Sequence, residues 1–325
     1  MMLDILAVLA GFALLVWGAD KFVTGAAGIA RNFGISPLLI GLTIVGFGTS
    51  APEILVAAMA SINGNPGLAI GNAIGSNITN IALILGATAI VSPLFVHSNT
   101  LQREYPILLL VTFGTAALML DQKLLVTDGM ILLASLFLVL FWLARLSMSP
   151  SEQDPLMQEI KDELPEEMPT ARAVMWFTLG LIVLLASSRL LVWGAVNIAT
   201  TFGVSDLVIG LTIVAIGTSL PELAASIASA LKNEPDIAIG NIIGSNIYNL
   251  LAVLSIPGLV SPGEFAIEAL LRDIPIMIGL TLALFFMGYS FRNKNGQINR
   301  LEGSVLLTSF IAYQGWLFLD ATGNI

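Results

Sequence analysis

The chain has 325 residues, of which 56% are hydrophobic and 11% charged, with a mean hydropathy of +0.91. Soluble domains carry about 25% charged residues, so a soluble globular protein is excluded. The formal charge is -9 and there is no cysteine, which excludes disulfides and thiolate metal centres and argues against a nucleic-acid partner.

Apolar runs long enough to cross a ~30 Å hydrocarbon core recur from end to end. They lack the ten-residue alternation of a transmembrane barrel. The class expected is an all-α integral membrane protein, with the lipid bilayer as its first partner. The opening stretch carries Asp4 and no early lysine or arginine, unlike a cleaved signal peptide, and reads as a retained first span. The expected spans are residues 3–30, 36–62, 66–91, 104–121 and 124–147, then 171–200, 205–231, 235–260, 273–291 and 300–320. The lone histidine, His97, falls between spans and reads as solvated.

Between the fifth and sixth spans lies a polar stretch with Glu152, Asp154, Glu159, Asp162, Glu163, Glu166 and Glu167 against Lys161 alone. Three prolines, Pro155, Pro165 and Pro169, accompany them. It reads as a solvated linker, and it lacks the spacing of a calcium-binding loop. The expected organisation is a first five-helix unit at 1–147, an acidic cytoplasmic linker at 148–170 and a second five-helix unit at 171–325.

The two units are repeats at an offset of 169 residues. Gly41–Val45 is identical to Gly210–Val214; Gly71-Asn72 meets Gly240-Asn241; Gly75-Ser76-Asn77 meets Gly244-Ser245-Asn246; and Asn80 meets Asn249. Because five spans is an odd number, the second repeat enters the membrane inverted. The expected architecture is ten transmembrane helices in two inverted-topology repeats of five, with the site near the midplane. With the N-terminus outside, Arg31, Arg103, Arg145, Lys161, Arg172, Lys232, Arg292, Lys294 and Arg300 fall on the cytoplasmic side, and Lys123 and Arg272 outside. That asymmetry satisfies the positive-inside rule. It places a multi-pass protein in the cell (inner) membrane with both termini outside and the linker in the cytoplasm.

Glu53 and Glu222 sit deep inside matched spans, in GTSAPE and GTSLPE. A charge at the bilayer centre costs at least ~2.5–3.5 kcal/mol on insertion scales, so a matched pair points to use. Pro52 and Pro221 have no N–H to give the carbonyls of Gly48 and Gly217, and each pushes the preceding residue, Ala51 or Leu220, off α geometry. A broken helix is therefore expected at each motif, offering backbone oxygens beside Thr49, Ser50, Thr218 and Ser219. In the following spans Asn72, Ser76 and Asn80 form one polar stripe at i, i+4, i+8, and Asn241, Ser245 and Asn249 form its copy. Gly71, Gly75, Gly240 and Gly244 are expected to let helices approach closely. The donor set is all oxygen, which suits hard cations such as Ca2+ or Na+. Its charge of -2 balances one Ca2+ or two monovalent cations, the arithmetic of exchange at one site. A cation channel could use the same ligands. An intramembrane enzyme is disfavoured, because no nucleophile–base pair is apparent.

The paired GTSxPE and GNxxGSNxxN motifs resemble the cation/calcium exchanger superfamily, most closely its prokaryotic sodium/calcium exchanger-like members. The resemblance covers essentially the whole chain. It implies a Ca2+-exporting antiporter working against Na+ or H+ by alternating access, without a resident cofactor. It implies that Glu53 and Glu222, with the carbonyls of Thr49 and Thr218, hold Ca2+. Ser50, Ser76, Ser219, Ser245, Asn80 and Asn249, with the backbone of Gly46 and Ala215, are implied to serve flanking Na+. Some archaeal members carry aspartate at the position of Asn249. Here both stripe ends are amides, which leaves room for protons as the coupling ion. The first helix, with Gly18, Gly25 and Gly28, resembles the family's sliding gate helix.

Overall fold

The computed structural model describes residues 1–34, 40–96, 101–147, 168–201, 215–288 and 296–321. His97, most of the acidic linker, the second-repeat stretch Gly210–Val214, Arg292 and Lys294 lie outside the described residues. In chain order the helices are α1 (Met2–Phe33), α2 (Gly46–Thr49), α3 (Ala51–Ile62), α4 (Pro66–Thr79), α5 (Gly86–Val91), α6 (Leu101–Leu118) and α7 (Val126–Ser147). Then come α8 (Thr170–Thr201), α9 (Ala215–Thr218), α10 (Leu220–Leu231), α11 (Pro235–Tyr248), α12 (Ser255–Val260), α13 (Ile274–Gly288) and α14 (Arg300–Ala321). Five described helical stretches are long and apolar enough to cross a membrane, or six when the bent pair α2–α3 with its lead-in counts as one.

Polarity is distributed inside out. Thr49, Ser50, Glu53, Asn80, Glu222, Asn241, Ser245 and Asn249 are all buried, whereas Leu9, Phe12, Phe137, Leu138, Phe286 and Ile311 face outward. Water as the surrounding solvent would leave this arrangement costly on both surfaces; lipid reverses the sign.

α1 and α8 pack along almost their whole length on a glycine seam. A Cβ at Gly18 would lie 2.9 Å from the Leu184 nitrogen, and one at Gly25 or Gly180 would fall onto the backbone of Phe177 or Phe22. Small residues permit this approach where lipid supplies no hydrophobic drive. Phe22 and Phe177 then stack at 4.9 Å between centroids, and Trp17 meets Trp176 edge-on at 6.4 Å. Asp20 ties the pair to the core through Lys232, at the end of α10, at 2.6 Å.

α4 and α11 form the centre. α11 packs on the π-helical stretch Asn80–Leu85 that extends α4, with Asn246 in its last turn meeting Asn80, and α4 packs on the matching stretch Asn249–Val253. Each helix therefore meets the extension beyond the other's C-terminal end, so the two run antiparallel with their C-terminal halves overlapping.

Two features depart from the all-α expectation. Short strands β1 (Leu94–Val96) and β4 (Gly296–Ile298) pair antiparallel, as do β2 (Lys123–Leu124) and β3 (Gly263–Glu264). These two- and three-residue strands link loops of different repeats and are too short for an alternating pattern to announce them. The β2–β3 ribbon carries the Lys123–Glu264 ion pair at 3.4 Å. The second departure is π-helical winding at Gly41–Val45, Asn80–Leu85, Asn249–Val253 and Ala269–Asp273. Two of these stretches open on the last asparagine of each stripe. At the second, Leu254 N–H reaches back five residues to the Asn249 carbonyl at 3.0 Å.

Glu234 stands just before α11, where burial and then the Asp236 charge push its carboxyl up to about 7 from 4.5. The folded state thus holds this proton more tightly than the unfolded chain. Its contribution is complete below pH 4.5 and is lost as pH rises through about 7. In detergent, Glu234→Gln is expected to flatten the decline in melting temperature across that window. A second expectation concerns the seam: Gly25→Val should cost about 1–3 kcal/mol by overpacking, read as a lowered unfolding midpoint.

Candidate cation site

Each GTSxPE motif breaks its helix. The axes of Gly41–Thr49 and Ala51–Ile62 differ by 49°. The residues that leave helical geometry are Ser50, at φ -79° and ψ 4°, and Ser219, at φ -90° and ψ 4°. This is one position earlier than proline's effect on Ala51 and Leu220 suggests. Pro52 and Pro221 sit in the first turn of α3 and α10, where a missing N–H is harmless. The break is therefore absorbed by the serine that precedes that turn.

Breaking the helix leaves each glutamate at the start of the second half-helix, turned inward. Glu53 and Glu222 are each 1% exposed and close enough that the charge of one acts on the other. The contacts cross between repeats. Ser50 Oγ donates to Glu222 Oε1 at 3.4 Å; the Thr49 hydroxyl also approaches the Glu222 carboxylate, and the Thr218 hydroxyl approaches that of Glu53. Glu222 is thus met by two hydroxyls of the first repeat's motif, and Glu53 is approached by one of the second's without a hydrogen bond within reach. Both Glu53 carboxylate oxygens, Glu222 Oε2, Ser219 Oγ, Asn80 Oδ1 and Asn249 Oδ1 are buried with no hydrogen-bond partner among the described residues. Buried polar oxygens without donors are uncommon and call for a cause. All are oxygens, the donor type that suits a hard cation, and the two carboxylates among them are close enough to act on each other.

The stripes divide by role. Asn72 Nδ2 donates to the Glu53 carbonyl at 3.2 Å, and Asn241 Nδ2 to the Glu222 carbonyl at 3.3 Å. These are the same contact repeated 169 residues apart, and both fix backbone next to the break. Asn241 also donates to Ser226 Oγ at 3.0 Å, and its Oδ1 accepts from Thr49 at 3.1 Å. Both ends of that amide are therefore engaged by protein. Ser245 Oγ lies 3.5 Å from Thr49 Oγ1, and Ser76 is buried on the matching turn of α4. Gly46 lies against Gly244 and Ser245, where a Cβ would come within 3.2 Å of backbone. Ala215 opens α9.

The close approach expected of the stripe glycines is present at Gly244, which meets the Leu42 carbonyl; at Gly71 and Gly75 no atom of the described residues lies within 4 Å of where a Cβ would stand. The counterpart of Leu42 in the second repeat lies outside the described residues. One contact was not legible beforehand: Asn80 Nδ2 donates to Asn246 Oδ1 across the repeats at 3.0 Å. Asn246 lies off the i, i+4, i+8 stripe, and its only signal was the repetition of Gly-Ser-Asn.

The sodium/calcium exchanger protein family model matches residues 3–146 and 172–319. The chain is 52% identical to CaxA of Alkalimonas amylolytica over 96% of its own length and 97% of the relative's. It is 41% identical to the inner membrane protein YrbG of Escherichia coli over 98% of both, and 31% identical to the sodium/calcium exchanger MaX1 of Methanosarcina acetivorans over 97% and 98%. A solved structure of the sodium-calcium exchanger NCX_Mj superposes with a TM-score of 0.84 at 33% identity, covering 97% of this chain and 99% of that one. Matched in both halves and along nearly its whole length, the chain belongs to the sodium/calcium exchanger protein family, as a membrane cation antiporter and not an enzyme.

Proposed function

We propose that the protein exports Ca2+ in exchange for Na+, by alternating access to one site built on Glu53 and Glu222. The observation that carries this reading is the pair of buried carboxylates, one from each repeat, each approached by the other repeat's motif, with three of their four oxygens unsatisfied by any donor among the described residues. Two such charges in an apolar slab need a cation. A divalent ion, or two monovalent ions in turn, neutralises them, so binding of one class excludes the other. The names of MaX1 and NCX_Mj as sodium/calcium exchangers support the choice of ions.

In this reading the chain spans the bilayer ten times, as two inverted repeats at 1–147 and 171–325 joined by an acidic cytoplasmic linker at 148–170. Both termini lie outside the inner membrane. The antiparallel packing of α4 and α11 and the matched ribbons are what an in-plane two-fold axis produces. Glu53, Glu222 and the carbonyls of Thr49 and Thr218 hold Ca2+. Ser50, Ser219, Ser76, Ser245, Asn80 and Asn249, with the backbone of Gly46 and Ala215, serve Na+. Asn72 and Asn241 act one step back, by holding the carbonyls of the two glutamates. Proton coupling is the alternative that Asn249 favours, since an amide there leaves the cluster one carboxylate short.

Uptake of radiolabelled Ca2+ into everted membrane vesicles tests the reading. Uptake is expected to require an outward Na+ gradient, and Glu53→Gln or Glu222→Gln to reduce it at least about thirtyfold, the scale for removing one member of a buried charge pair. Uptake driven by a proton gradient alone selects the alternative coupling ion. Uptake that needs neither gradient, or that survives both substitutions, overturns the proposal. A second expectation concerns scaffolding. Asn241→Leu strands the Glu222 carbonyl and the Thr49 hydroxyl, and should lower stability by about 1–3 kcal/mol, read by unfolding in detergent.

A further inference from the structure

The two halves of the site are braced unequally. Ser226 lies one turn after Glu222 on the same face of α10 and is fully buried. Asn241 Nδ2 donates to the Glu222 carbonyl at 3.3 Å and to Ser226 Oγ at 3.0 Å, so both amide hydrogens have an acceptor. Its Oδ1 faces the Thr49 hydroxyl at 3.1 Å. A backbone carbonyl can only accept, so turning the amide over would set its oxygen against that of Glu222. The orientation of Asn241 is therefore fixed by its surroundings.

In the first repeat Ala57 stands at the position of Ser226 and offers no acceptor. Asn72, the counterpart of Asn241, makes its one side-chain hydrogen bond among the described residues to the Glu53 carbonyl at 3.2 Å. It is half-buried, where Asn241 is 1% exposed. The difference extends to the carboxylates. Glu222 Oε1 accepts from Ser50 at 3.4 Å, whereas both Glu53 carboxylate oxygens and Ser219 Oγ have no hydrogen-bond partner among the described residues. The repeated motifs do not announce this asymmetry, because positions 57 and 226 lie outside them.

We propose that Ser226 is a positioning residue. By taking the second amide hydrogen of Asn241, it holds the Glu222 carbonyl and the Thr49 hydroxyl in place before a cation arrives, a brace that the Glu53 half lacks. Geometry set in advance lowers the cost of binding. This inference rests on the reading of Glu53 and Glu222 as joint holders of Ca2+ under the proposed function.

Equilibrium binding of Ca2+ to the full-length protein in detergent, by isothermal titration calorimetry below the melting point of each variant, tests it without relying on transport. Ser226→Ala removes the acceptor, and Ser226→Cys keeps the volume but accepts poorly. Each is expected to weaken Ca2+ binding about fivefold, the scale of one hydrogen bond. Ser226→Thr keeps the hydroxyl and should bind within about twofold of native. Ser229, also buried on α10, donates only to the Ala225 carbonyl of its own helix, so Ser229→Ala should likewise stay within about twofold. That comparison separates positioning from a general loss of packing. Native-like binding by Ser226→Ala or Ser226→Cys, a loss in Ser229→Ala equal to that in Ser226→Ala, or binding by Ser226→Thr no tighter than by Ser226→Ala overturns the proposal. If Glu222→Gln leaves Ca2+ binding unchanged, it is the underlying site assignment that has failed.

Discussion

A carboxylate held away from water inside an apolar slab must find a cation, a proton or donors enough to replace its hydration. This chain sets that problem twice, at Glu53 and Glu222, and places the two solutions in one spot. Much of the remaining structure serves the arrangement. Pro52 and Pro221 allow helices to restart in the interior, Ser50 and Ser219 take up the bend, and Asn72 and Asn241 hold the carbonyls exposed next to the restart. Each device satisfies backbone groups that lipid would leave bare.

The site is also an interface. Neither repeat completes it alone, since the hydroxyls that face each glutamate come from the other half. Close approach of Gly46 and Gly244 brings the halves to contact distance. The α1–α8 pair packs on α10, and the Asp20–Lys232 ion pair adds to that contact. A partly exposed pair of this kind is worth at most about 1 kcal/mol. Most of the attachment is apolar: Ala19, Phe22, Ala26 and Ala30 of α1 share one buried cluster with Ala225 of α10 and Ile237 of α11.

Much of this was legible from residues alone. Where residues are described, the expected spans fall on observed helices within a few residues, although the start of the span expected at 205 lies outside them, and GTSxPE announced two breaks that are present. The paired motifs also singled out residues that the fold brings together. What escaped has identifiable physical reasons. Proline's steric rule pointed to Ala51 and Leu220, but a proline in a first turn is no obstacle, and the bend moved to the serines. Helical periodicity cannot signal a π turn, so the winding at Asn80 and Asn249 was invisible. The ribbons rest on two or three residues each. Gly71 and Gly75 carry the same pattern as Gly244 without its close contact among the described residues, because repetition in sequence does not require equal packing on both sides of a site. Asn246 sits off the stripe and has meaning only once its neighbour across the interface is known.

The central claim is that Glu53 and Glu222 jointly hold the transported cation. Anomalous diffraction from crystals soaked in Sr2+, as a stand-in for Ca2+, tests it most directly. The account predicts a strong peak between the two carboxylates that disappears when Na+ is raised. A peak elsewhere, with none between Glu53 and Glu222, would contradict it.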